Sequence, residues 1–276
     1  MPQQQIKPCD THAGDSQRCW GLCMSGIDRL RTDHVLAMVR KAVPLCMALP
    51  LLGAGISYAA YTDELSISTW PWRIGVLVAL GCCTGLLLVY VRYRGTNELF
   101  AYGLVMSLGT FATYYFFGIF GYFCFFIFTP MPALARWPGL IGGIVLNIFW
   151  AAIAYRSVCH TVEATPFVGN AFDDRGEFVV YDVQRGVTEF ERHHKEPSAI
   201  PKFGRHIVLG LTPFYLILSR LLSSRFGANG VLLFLAAMSM PLALLLVSLL
   251  VRNYVLMIAL PKRIENQRGK RVLVAG

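Results

Sequence analysis

Two pairs of adjacent residues, Cys159-His160 and His193-His194, carry thiol and imidazole groups that could ligate a transition metal. The pairs are more than thirty residues apart, and neither has the Cys-x-x-Cys or His-Glu-x-x-His spacing of an established site. Glu196, beside His193 and His194, adds a general acid–base group without a nucleophile to activate. Cys46, Met47, Cys82, Cys83, Met238 and Met240 are thiols and thioethers of the kind that suit Cu(I). They stand in apolar runs, where Cys and Met are ordinary packing residues. Arg92, Arg94 and Glu98 form a charged cluster of the topogenic type. The chain has no phosphate loop, dinucleotide fingerprint, nucleophile elbow or clustered acidic site. The expectation is a protein that is not an enzyme, with no catalytic residue, cofactor or metal.

The elements around these groups are apolar. Of 276 residues, 55% are hydrophobic and 15% charged, where a soluble domain has about 25% charged. Six apolar runs divide the chain: 42–61, 74–91, 99–128, 139–155, 207–222 and 231–251. At 1.5 Å per residue, about 20 helical residues cross a bilayer core. Of the 25 Lys and Arg, 21 fall in alternate gaps, 3 in the others, and one, Arg220, near the outer end of the fifth run. Cations gather on the cytoplasmic side. The predicted fold is an all-α polytopic membrane protein with six transmembrane helices and both termini inside. A small cytoplasmic α+β hairpin insert separates the fourth and fifth helices. The fifth run is short, and only six crossings keep the basic tail inside. The expected location is the inner (cytoplasmic) membrane, with the first span as its own insertion signal.

The segments divide accordingly. Residues 1–41 form a cytoplasmic N-terminal segment, with an amphipathic interfacial helix over 16–41. Residues 42–155 hold four spans. In the loop 156–206, Thr161–Phe167 and Glu177–Asp182 are β-prone, and Asp173-Asp174-Arg175-Gly176 is turn-forming. This predicts a hairpin, with a short helix over 187–195. A lone hairpin is marginal in water, so it must pack on the N-terminal helix, on the tail or on a partner. Residues 207–251 hold two spans. The tail 252–276 is basic, with Pro261 ending its apolar extension.

The eight cysteines avoid the external gaps, which implies reduced, packing use. The net charge of +9 sits at membrane edges without aromatic-basic interleaving, which excludes nucleic acid and favours anionic lipid at the tail. Gly81-x-x-x-Gly85 and Gly139-x-x-x-Gly143 are candidate helix-packing surfaces. The third run has 13 Phe and Tyr in 30 residues, too long for one straight crossing. Phe116, Phe117 and Phe120 there, and Phe178 and Tyr181 in the hairpin, are candidate partner contacts.

Between their edges the runs hold no Asp, Glu, Lys or His, and Arg220 lies near an end. Intramembrane charges mark most coupled transporters. The expected function is therefore protein–protein contact, as a component, scaffold or immunity-type partner of a membrane machine or membrane-active toxin, or as a homo-oligomer. The alternative is a small oligomeric channel or transporter for an uncharged or apolar solute, with Thr84, Ser107, Thr110, Thr113, Tyr114, Asn147, Thr212, Ser239 and Ser248 lining the path.

Overall fold

The computed structural model describes residues 33–194 and 215–275. Most of the N-terminal segment, Glu196, Pro197, Pro201 and Thr212-Pro213 lie outside the described residues. Five described segments are long and apolar enough to cross a membrane. Helix α1, His34–Ser57, continues through π-type turns to Glu64. Asp33 caps it, accepting a hydrogen bond from the Leu36 amide at 2.9 Å. Helix α2 is Trp70–Tyr93, and α3 is Leu99–Tyr114. The third run then continues through wider π-type turns over Tyr115–Cys124 into a last α turn, Phe125–Phe128. It is one helical segment and does not turn aside at Gly118–Gly121. Helix α4 spans Ala133–Ala164.

Beyond α4 come α5 (Phe167–Ala171), β1 (Phe172–Asp174), β2 (Phe178–Asp182) and α6 (Val183–His193). Helix α7, Tyr215–Tyr254, is broken at Gly227, whose φ of 60° and ψ of −150° are glycine conformations. Part of the fifth run is therefore helical. After α7, π-type turns over Val255–Ala259 lead into α8 (Leu260–Arg268) and β3 (Arg271–Ala275).

Two expectations are corrected. The stretch Thr161–Phe167 is not a strand: α4 runs through Ala164 because Trp150, Ala154, Val158, Thr161 and Val162 keep a helical stripe buried. Pro261 does not end a helix. It sits in the first turn of α8, where its missing N–H is harmless.

The bundle is held by close backbone approach and by a few polar pairs. A Cβ on Gly75 would lie 2.8 Å from the Ala54 Cβ and 3.0 Å from the Pro50 carbonyl. Helices α1 and α2 thus touch backbone to backbone. Asn253, buried, donates to the Thr110 hydroxyl at 3.2 Å. Trp150 donates its indole N–H to Ser248 at 2.7 Å. The Tyr114 hydroxyl donates to Asn147 Oδ1 at 3.2 Å, and the Asn147 amide donates to the Gly143 carbonyl. Ser248→Ala removes the one interhelical bond from Trp150 with little change of volume. It is expected to cost about 0.6–1.7 kcal/mol, read as a lowered melting midpoint in detergent.

One end of the bundle carries a folded cap. Its sheet has the order β1-β2-β3: β1 and β2 are antiparallel, β2 and β3 parallel. A hairpin forms with Glu177–Asp182 largely as its second strand, but its first strand is Phe172–Asp174 in place of the expected Thr161–Phe167, and the tail adds a third strand. Phe172, Val179, Tyr181, Val272 and Val274 share the inner face and pack on Phe167, Phe190, Val158, Leu256 and Ile264. The core of the cap is thus continuous with the ends of α3, α4 and α7. At the opposite end of the bundle, Tyr61, Phe125, Leu232 and Ala236 form a separate cluster.

Candidate contact surface

The cap turns two unlike faces outward and inward. On the inner face Phe172 packs on Tyr181 with ring centroids 4.9 Å apart, and Phe167 meets Phe190 at 5.8 Å. Burial pushes the Tyr181 hydroxyl up to about pKa 12, so it stays protonated across the physiological range. On the outer face Phe178 and Arg271 are register partners, and Leu273 follows on the same side. With Gly95–Glu98, the turn between α2 and α3, they line an open cleft of about 380 Å³. Gly95 adopts a φ of +75° there. The Val274 amide donates to the Asn97 carbonyl at 2.7 Å, and the His34 amide to Asn97 Oδ1 at 3.0 Å. One asparagine thus ties β3 to the start of α1.

Ion pairs clasp the tail onto the hairpin. Lys270 Nζ lies 2.7 Å and 2.9 Å from the two Asp174 oxygens, and Arg268 reaches the same carboxylate at 3.4 Å. Arg271 pairs with Glu98 at 3.9 Å, and Lys262 lies 4.3 Å from the Phe100 ring centroid. Tail cations that the sequence directs toward anionic lipid therefore meet groups of this same chain. Lys270, then the Gly176 amide, hold the Asp174 carboxyl below its ordinary value. A depressed folded-state pKa contributes stability above the unfolded value of about 3.9 and loses it as pH falls through the folded value. Tail docking is thus expected to be flat from neutral pH down to about pH 4 and to loosen below it. Asp174→Asn should remove that acid transition, checked by hydrogen exchange of β3 across a pH series.

The remaining chemistry-bearing residues are dispersed. His194 stacks on Phe190 at 4.5 Å and its Nδ1 lies 3.0 Å from the Thr161 hydroxyl. His193 Nδ1 meets the Glu189 carbonyl at 2.9 Å. His160 is exposed and Cys159 half-buried on α4. Cys46 and Cys82 share the core between α1, α2 and α3, while Met240 packs beside Trp150. Among the described residues, no three His, Cys, Asp or Glu side chains gather as a metal site.

The candidate packing glycines differ in surroundings. Gly139 faces the Phe126 ring and Gly143 the Tyr122 ring, while Gly85 lies against Leu108. Gly81 has no atom within 4 Å of a Cβ position. Phe120 and Tyr181 are buried inside this chain, at 2% and 1% exposure, so neither forms its surface. Phe120 packs on Gly53 of α1 and on Phe116. Phe116, Phe117 and Phe178 are half-buried. Two tight contacts have no pairwise glycine signature in the sequence: Gly75 against Ala54, and Gly103 against Met257. The chain matches no family model, no curated protein and no solved structure.

Proposed function

We propose that this chain is an integral protein of the cytoplasmic membrane that works by protein contact, presenting the outer face of its cap. Six crossings with both termini inside fit the meeting of His34, Asn97, the end of α4 and β3 at one end of the bundle. The chain is at the cap at His194 and at the far end by Leu232, which supports a crossing within 195–231. The cap then faces the cytoplasm, where the cations concentrate. The observation that carries the contact reading is the cleft beside Phe178, Arg271 and Leu273: an aromatic ring, a guanidinium and an aliphatic side chain on one open face. Aromatic and Arg side chains dominate interface energetics. The partner would be a component of a membrane machine or a membrane-active toxin.

The test is recovery of intact complexes in mild detergent. Phe178→Ala is expected to weaken partner retention tenfold or more with the bundle's melting midpoint unchanged. A parent chain that purifies cleanly, with no co-purifying protein, would count decisively against the reading.

One observation favours the alternative of a path for an uncharged solute. The Ser107 and Tyr115 hydroxyls are buried and lack a hydrogen-bond partner among the described residues. Against it, Thr110, Tyr114, Asn147 and Ser248 are engaged in bonds between helices. Liposome flux of small neutral solutes separates the two readings.

A further inference from the structure

A second groove, of about 150 Å³, lies between the end of α4 and the segment 255–263 and shares no lining residue with the outer cleft. Tyr155, Cys159 and Glu163 recur every four residues, so they share one face of α4. The same face continues into the bundle as Ile148 and Ile141, which are 65% and 56% exposed. A continuous apolar stripe thus runs up to Tyr155 and ends on charge. At that end Arg263 Nη1 stands 3.5 Å from Glu163 Oε1, with both side chains about two-thirds exposed to solvent. Tyr155 itself is 50% exposed, at the level where the sequence changes from apolar to Arg156. Amphipathic aromatic residues favour that headgroup level.

We propose that this groove binds a phospholipid whose headgroup carries both a phosphate and a primary amine. Arg263 takes the phosphate, Glu163 takes the ammonium, and one acyl chain lies along Tyr155 toward Ile148, about 22 Å of helix from Glu163 and so within one leaflet. The proposal rests on α4 crossing a bilayer. Its chemistry is specific at each end. A guanidinium matches phosphate geometry with paired N–H donors. A single carboxylate oxygen at 3.5 Å leaves most of those donors available. The Glu163 carboxylate accepts hydrogen bonds, which a primary ammonium donates and a quaternary one does not. A headgroup with net negative charge and no amine brings Glu163 no opposite charge, only hydroxyl donors, and repels it. The apolar stripe selects a lipid over a soluble zwitterion.

The test is native mass spectrometry of the full chain in detergent, titrated separately with phosphatidylethanolamine, phosphatidylcholine and phosphatidylglycerol. Phosphatidylethanolamine should bind at least tenfold more tightly than the other two. Glu163→Gln should reduce it to the phosphatidylcholine level, and Arg263→Gln should weaken every phospholipid. Arg271→Gln, at the outer cleft, should change none. Both groove side chains are exposed, and an unchanged melting midpoint confirms that the variants fold. Equal binding of the ethanolamine and choline lipids, a preference for phosphatidylglycerol, no binding, or retention of the ethanolamine preference in Glu163→Gln each overturns the proposal. A chain recovered in the soluble fraction defeats the membrane reading itself, whereas a membrane-bound chain without the preference defeats only this proposal.

Discussion

Val272→Asp is expected to detach the cap from the bundle while leaving the long helices folded. Val272 is fully buried, opposite Val179 in the parallel pairing of β2 and β3. A carboxylate there would sit in the apolar cluster, and the tail cations Lys270 and Arg268 are already engaged by Asp174 at the edge of the sheet. Burying an unpaired charge costs far more than a hydrophobic contact returns, so the strand leaves or the group takes up a proton. Without β3 the sheet reduces to β1 and β2, a pair of three and five residues. Such a hairpin is marginal on its own. The expected loss is several kcal/mol of cap stability, seen as new protease cleavage within 165–194 and fast amide exchange in β2. A chain shortened to end at Lys270 should behave alike. Protection of β2 surviving in both variants would show that the tail is dispensable.

Gly103→Leu is expected to damage the bundle itself. A Cβ at Gly103 would stand 2.6 Å from the Met257 Cβ and 2.7 Å from the Met257 carbonyl oxygen. Neither atom can rotate away, so α3 and the segment after α7 must separate. Overpacking typically costs 1–3 kcal/mol, and contact with backbone falls at or above the top of that range, about 3 kcal/mol. The readouts are reduced yield in the membrane fraction and a melting midpoint lowered by roughly 6–12 °C. Gly81→Leu is the internal control. Gly81 has open space around it, so the parent midpoint should persist. If the two variants melt alike, the contact at Met257 is not a structural junction.

The contrast between Gly103 and Gly81 shows where the sequence stops informing. Apolar run length reports that a helix crosses a membrane, and the runs of α1 to α4 were legible for that reason. Helices α1, α2 and α4 nevertheless exceed their runs, because polar residues at the ends join caps and aqueous packing that hydropathy does not register. His34 is held by Asn97, and Thr161 meets His194. Spacing of small residues marks surfaces able to pack closely, but not the partner. Gly81 has the spacing and no neighbour, whereas Gly103 has the neighbour without a paired glycine.

The candidate surface was legible in part. Phe178 and Tyr181 were both readable as hairpin aromatics, yet they lie on opposite faces of one strand. Only the register with β3 decides which one is covered. That register was hidden because tail residues such as Arg271 and Lys270 read as membrane-edge cations, and a short strand of Val272, Leu273 and Val274 beside them reads as a fragment. The wide turns of Tyr115–Cys124 were equally hidden. Aromatic density announces bulk, and the accommodation of that bulk depends on Gly118 beneath Tyr114 and Gly121 against Ser239.

The parallel pairing of β2 with β3 also imposes an order of events during synthesis. Asp174 and Lys270 are 96 residues apart, with α7 between them. Loop closure over that span is favourable only once the intervening helix has been placed so that both strands stand on one side of the bilayer. A helix left outside the membrane, or threaded in the wrong direction, strands β3 across the lipid from its partner. Cap closure therefore requires the second half of the chain to be in place, and until then the edge of β2 lacks its partner strand.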